Sequence, residues 1–237
     1  MTARDILDRL KHGLIVSCQA EGDSPFNSPT GVAMFAQAAQ QGGAVGIRSE
    51  GIAKTRRIVE TVSLPTIGLV KTAFADGSVC ITGSLQAVED LLATGCQMVA
   101  IDGTFRPRPA PHAHLDGPEF VRFVKDTYGC AVMADISTAA EGDACVAAGA
   151  DCLSTTLSGY TPDTQNVSGD GPDVELLAHL AVKHTLPVIA EGRIHSPQWA
   201  TIAIERGAWA VVVGTAITRP ATITQWYAKA VRAAANA

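Results

Sequence analysis

Aromatic side chains make up only 5% of this 237-residue chain, and charged ones only 17%. No stretch of Lys and Arg forms a basic face, and the formal charge is −5. This balance excludes a nucleic-acid footprint and a polybasic membrane anchor, while single basic residues can still serve a small anion. The longest strongly apolar runs, such as residues 208–213, are far too short for a membrane-spanning helix. The opening "MTARDILDRLKHG" has acidic residues among its basic ones and no apolar core. It reads as a short amphipathic helix and not as a signal peptide, so a cytoplasmic protein is expected. The six cysteines form no C-x-x-C pair, and several lie in apolar runs. Buried free thiols are therefore expected, with no disulfide framework or redox site. Walker and dinucleotide fingerprints are missing too. "QAEGDSPFNSP", where a glycine-rich phosphate loop would follow a first strand, is no such motif.

What the chain does have is apolar content of 47%, mostly Ala, Val, Ile and Leu, laid out in a repeating order. Eight short apolar runs, at 14–19, 44–48, 65–71, 97–102, 131–136, 151–156, 187–192 and 209–215, alternate with segments of helical period such as "GIAKTRRIVETV" and "DVELLAHLAVKH". The step between strand ends is about 28 residues, which suits strand–helix units on a parallel sheet. Eight such units predict a (β/α)₈ TIM barrel with a short N-terminal helix, residues 1–237 forming one domain. An open doubly wound sheet is the alternative. Glycines in "QGGA", "AAGAD" and "ERGAWA" are placed to end helices. Pro65 and Pro187 are placed to open strands.

In a barrel of this kind the chemistry sits at the C-terminal ends of the strands. The residues there are Gln19, Arg48, Lys71, Asp102, Asp135, Thr155 or Thr156, Glu191 and Gly214-Thr215. Any one of them reads as a solvated strand end; so many together predict a polar pocket. Lys71 ends the third strand and Glu191 the seventh, on opposite sides of an eight-stranded barrel. An amine and a carboxylate so placed can take a proton from one face of a planar carbanion and return one to the other. A salt bridge across the mouth is the competing reading. Gly192 and Arg193 follow the seventh strand, and Gly214, Thr215 and Arg219 the eighth. Glycines there let backbone N–H groups approach a phosphate, and the arginines supply charge-assisted bonds. Ordinary strand-to-helix turns would look similar.

Other features are weaker. His112 and His114 form an H-x-H in the Pro-rich "RPRPAPHAHLDGP", a spacing that can chelate a metal, but no set of carboxylates or Cys completes a ligand group with it and no metal site is expected. Arg106 to Pro109 read as a rigid roof or a basic patch. Tyr160, in "SGYTPDTQNVSGDGP", reads as a lid or a loop anchor. Trp226 and Tyr227 read as an association patch or as shell packing.

Seven motifs occur in order over residues 13–230: "GLIVSCQA", "GGAVGIR", "IGLVK", "MADIST", "TTLSGYT", "PVIAEGRIHSP" and "VVVGTAITRP". As a set they resemble the N-acetylmannosamine-6-phosphate 2-epimerase family. The resemblance implies a (β/α)₈ barrel that interconverts N-acetylmannosamine 6-phosphate and N-acetylglucosamine 6-phosphate at carbon 2, in sialic-acid and amino-sugar breakdown. It implies neither metal nor nicotinamide cofactor, and a homodimer as an expected assembly. Carried residue by residue, the family lysine is Lys71 and its glutamate Glu191. The residues that bind sugar hydroxyls are Gln19, Arg48 and Asp135, and phosphate contacts fall on Gly192, Gly214, Thr215 and Arg219. Two alternatives stay open: another phosphate-binding barrel enzyme, such as a pentose-phosphate epimerase or a cofactor-biosynthesis synthase, and a catalytically silent sugar-phosphate sensor.

Overall fold

The computed structural model describes residues 1–74, 76–165 and 169–235. Helix α1 (Ala3–Leu10) comes first, and its Thr2 cap exchanges bonds with Asp5 in a capping box. Eight strands then run parallel: β1 (Leu14–Cys18), β2 (Gly46–Glu50), β3 (Thr66–Leu69), β6 (Met98–Asp102), β7 (Val132–Asp135), β8 (Cys152–Ser154), β9 (Val188–Glu191) and β10 (Ala210–Val213). They pair in sequence order, and β10 closes on β1 through Leu14↔Val211 and Val16↔Val213. The closed barrel bears out the predicted architecture and removes the open-sheet alternative.

The connections are helical: α2 (Pro29–Gln41), α3 (Ile52–Val59), α4 (Leu85–Leu92), α5 (Gly117–Tyr128), α6 (Ala139–Ala147), α7 (Val174–Lys183), α8 (Pro197–Glu205), α9 (Thr215–Thr218) and α10 (Pro220–Ala235). Ser28, Ser84, Asp116, Thr138, Asp173 and Ser196 each cap a helix, accepting a backbone N–H three residues on. Each such cap is worth about 1 kcal/mol. The glycines expected at helix ends take positive φ: Gly43 at 90°, Gly149 at 93° and Gly207 at 97°.

Strand period 2 decides what each face holds. Ile15, Ile67, Met98, Met133, Cys152, Ile189 and Val212 gather inside the barrel with Ile6, Leu7 and Leu10 of α1, which closes one end. Their chain neighbours Val99, Val132, Leu153, Val188 and Val211 pack outward under the helices. Glu191 lies two residues past Ile189, and Asp135 two past Met133, so both share the inward parity. All six cysteines are free, and five are buried, as expected. Burial pushes the Cys80 and Cys96 thiols up to about 11.

One unit departs from the repeat. The third apolar run, read as continuous to residue 71, breaks at Val70. Lys71 begins a separate antiparallel hairpin, β4 (Lys71–Ala73) with β5 (Val79–Ile81). Asp76-Gly77, with Gly77 at φ +82°, stands in its turn, a hairpin signal in a segment that the strand–helix period had masked.

Candidate active site

A cleft of about 300 Å³ opens at the C-terminal mouth of the barrel. Ten of the sequence-predicted residues line it: Gln19, Arg48, Lys71, Thr156, Glu191, Gly192, Arg193, Gly214, Thr215 and Arg219. Asp135 does not. It is fully buried below the cleft, and its carboxylate accepts Nη1 and Nη2 of Arg48 at 2.9 and 2.5 Å. Its place is beneath the floor, fixing the guanidinium above it.

Arg48 is itself 1% exposed and sits between two carboxylates, with Nη1 2.8 Å from Glu191 Oε2. Burial alone would disfavour its charge; Asp135 and Glu191 outweigh this and keep it ionised. Glu191 shows the reverse balance. Burial raises its carboxyl above the ordinary range, Asp135 adds to that, and Arg48 only partly offsets them. Thr156 Oγ1 stands 2.8 Å from Asp135 Oδ1 and 3.0 Å from Glu191 Oε2. A hydroxyl has one proton to donate, so Thr156 can satisfy one of the two carboxylates at a time. A proton on Glu191 satisfies the other contact. Raised in this way, Glu191 holds a proton more readily than an ordinary carboxylate, and when it does, Arg48 and Asp135 balance each other's charge.

Lys71 enters from the hairpin. Its amine pairs with Glu21, whose second oxygen accepts Nη2 of Arg219 at 3.2 Å. Lys71 and Glu191 each have another partner, so the competing reading of a bridge between them does not describe the site. The hairpin is clasped from its far side. Arg106 donates to Ser78 Oγ at 3.0 Å and to Asp102 Oδ2 at 2.9 Å, with its guanidinium 4.0 Å from the Phe74 ring centroid. Arg108, fully buried, donates to Asp102 Oδ1 at 3.1 Å. The strand-end Asp102 thus serves the hairpin and not the cleft.

Gly192 has φ +108°, a backbone region that L side chains rarely adopt. A Cβ on Gly214 would stand 3.3 Å from Ser17 Cβ. Both positions bring main chain to the cleft wall. Arg193, also at positive φ, lines the cleft but gives two of its donors to loop carbonyls, Gly171 O and Ser158 O, both at 2.8 Å. Its guanidinium lies 5.3 Å from the centroid of Tyr160, which lines the cleft as well. Ser17, Glu21 and His195 also belong to the site or its wall, and none was read from the sequence. Ser17 could have been found by counting back two from Gln19. Glu21 lies outside any strand and has no spacing that links it to Lys71. His112 packs near Phe120 and Phe123, away from the cleft.

Comparison with known proteins places this arrangement. Residues 32–233 match the NanE family, described as "Putative N-acetylmannosamine-6-phosphate epimerase". A protein of Clostridioides difficile named "Putative N-acetylmannosamine-6-phosphate 2-epimerase" is 43% identical over 95% of this chain and 99% of its own length. A bifunctional NanE/NanK enzyme of Brucella melitensis is 45% identical over 98% of this chain, which spans 43% of that larger protein. The solved N-acetylmannosamine-6-phosphate 2-epimerase of Clostridium perfringens superposes with a TM-score of 0.86 at 41% identity, covering 94% of this chain and 95% of that one. A thiamine phosphate pyrophosphorylase from Pyrococcus furiosus, at 16% identity and a TM-score of 0.59, shares the fold alone. With a family model over most of its length, full-length relatives above 40% identity and a superposable barrel, the chain belongs to the N-acetylmannosamine-6-phosphate epimerase family.

Proposed function

We propose that the protein interconverts N-acetylmannosamine 6-phosphate and N-acetylglucosamine 6-phosphate, a step of amino-sugar and sialic-acid breakdown. One observation carries the reading: Lys71 and Glu191 flank a single cleft around the buried Arg48, and the loops after β9 and β10 line its wall. In the open-chain sugar, carbon 2 is next to an aldehyde, so its proton is weakly acidic. Lys71 takes that proton in one direction. Glu191, which burial favours in the protonated form, delivers one to the other face. In the reverse direction the two exchange roles. The enolate oxygen needs fixed donors, and the Arg48 guanidinium is held for that task by Asp135. Gly192, Gly214, Thr215 and Arg219 hold the phosphate, and Gln19 a sugar hydroxyl. A phosphate grip remote from carbon 2 supplies binding energy for orientation.

The test is NMR of the purified protein with N-acetylmannosamine 6-phosphate in D₂O. N-acetylglucosamine 6-phosphate carrying deuterium at carbon 2 is the expected product. Lys71→Ala and Glu191→Ala are each expected to lower the rate by roughly 10²–10⁴-fold, the range for loss of a general acid or base. Absence of product from the wild-type protein would overturn the assignment.

The same reading places the protein in the cytoplasm, supported by six free cysteines. Among the described residues no helix is long and apolar enough to cross a membrane. It also makes the protein a homodimer. Helix α10 has no buried residue, and Trp226, Tyr227 and Val231 are exposed on it. Beside it an apolar groove of about 590 Å³ runs between α8 and β10, lined by Leu14, Pro197, Ala200, Ile204, Val211 and Val213. The outer helical ring of a (β/α)₈ barrel would fill that place with its last helix. The α10 of a second copy is the occupant we assign to it.

A further inference from the structure

Glu21 stands in the loop leaving β1, and its two oxygens hold two cations of the cleft at once: Lys71 on Oε1 and Arg219 on Oε2. On the function proposed above, these cations have different tasks, proton transfer at carbon 2 and grip of the phosphate. One carboxylate ties the two tasks together. Its side chain is 39% exposed, and the next residue, Gly22 at φ +55°, has open space where a Cβ would stand. A side chain so exposed has a route into solvent. Partial burial works against its charge, but the bonds from Lys71 and Arg219 prevail and hold the carboxyl below its ordinary range.

We propose that Glu21 is a stand-in anion which the phosphate of the substrate displaces, and that its departure frees Lys71, so that Glu21 sets the preference for phosphorylated over unphosphorylated sugar. An ammonium held by a carboxylate has no lone pair to offer, and it points at its partner. A base at carbon 2 must be a neutral amine facing the substrate. A phosphate dianion brings more charge and more acceptors to Arg219 than a carboxylate does. The two anions repel each other across one guanidinium, and the carboxylate is the one with a path to solvent. Once Glu21 has left Arg219 it has also lost half of its reason to stay on Lys71. A sugar without phosphate brings nothing that evicts Glu21 and meets an occupied lysine. Binding energy from the remote group is thereby converted into a reactive base, beyond its use in orientation.

The inference rests on the epimerase reading, and the experiment separates the two. Wild type and Glu21→Gln are compared in D₂O on N-acetylmannosamine, with and without inorganic phosphate, and on N-acetylmannosamine 6-phosphate. In the wild type, phosphate added separately is expected to speed labelling of carbon 2 in the unphosphorylated sugar by about tenfold. In Glu21→Gln that rate is already raised by about the same factor without phosphate, and phosphate adds less than about twofold. The KM for the phosphosugar falls several-fold, because no internal anion competes for Arg219. Glu21→Leu, which keeps no acceptor, is expected to behave as the Gln variant does. Wild-type rates and a wild-type phosphate response in both variants overturn the proposal, as does indifference to phosphate in all three proteins. A lower kcat on the phosphosugar at unchanged KM overturns it too, since Glu21 would then support Lys71 and not restrain it. If the wild type leaves the phosphosugar unlabelled, the epimerase reading has failed instead.

Discussion

Two carboxylates, one guanidinium and one hydroxyl meet at and just beneath the floor of the cleft, and that ratio is the main electrostatic fact at the scale of single residues. Glu191 keeps a proton more readily in the folded protein than in the unfolded chain, because burial raises its carboxyl above the ordinary 4.5. A group raised in this way stabilises the fold fully below its unfolded value, and that contribution is lost as pH rises through the folded one. Glu191→Gln cannot ionise. It is expected to melt about 2–4 °C above the wild type at pH 8, the shift that roughly 1 kcal/mol gives a chain of this size. The gap should narrow toward pH 4.5, and thermal melts of the two proteins across that range check it. A wider gap at low pH would mean that the ion pair with Arg48 outweighs burial. Much of this floor was legible. Arg48, Asp135 and Glu191 each end an apolar run, where a charge has no packing role. That Asp135 lies under Arg48, off the cleft wall, was not legible, because strand ends are staggered and sequence gives no depth.

Among the elements, the β4–β5 hairpin has the most consequence. A hairpin of three-residue strands has little stability of its own. Arg106 and Arg108, both fastened to Asp102, hold this one in place and with it the backbone of Lys71. Arg106→Ala removes the bond to Ser78, the bond to Asp102 and the stacking on Phe74. On the proposed function it is expected to lower kcat by about 10-fold or more, since a misplacement of about 1 Å can cost 10² in rate. KM should change little, because the phosphate grip lies on the β9 and β10 loops. Steady-state kinetics separate this outcome from a KM effect, which would place Arg106 among the substrate's own contacts. "RPRP" was readable as a roof or a basic patch, and the structure makes it a clasp. Its target was hidden because a buried arginine is recognised only by its partner, and Asp102 looked like one more pocket carboxylate.

For the whole molecule, the barrel was legible and the last helix was not. Strand–helix alternation repeats eight times, and each repeat must bury a two-sided strand, which leaves few other closed arrangements. Helix α10 carries an ordinary amphipathic sequence that can pack on its own barrel or on a copy's. Its lack of buried residues, next to an open apolar groove, argues for the copy. Light scattering is expected to give twice the 24.6 kDa chain mass, and a chain truncated after Arg219 is expected to give a monomer or to aggregate through the exposed groove. A full-length monomer would contradict the assignment.

The inward parity of the strands has a consequence for how such a protein can vary. Arg48, Asp135 and Glu191 lie on the same face of their strands as the residues that fill the barrel. A single-residue insertion or deletion within β2, β7 or β9 would reverse the facing of every side chain on one side of the change, setting the barrel-filling residues and the strand-end charge on opposite faces. Core and chemistry could then not both be kept, and no compensating change elsewhere could restore the pair. Length variation in descendants of this sequence is therefore confined to the loops and the outer helices, while β2, β7 and β9 can change only by substitution.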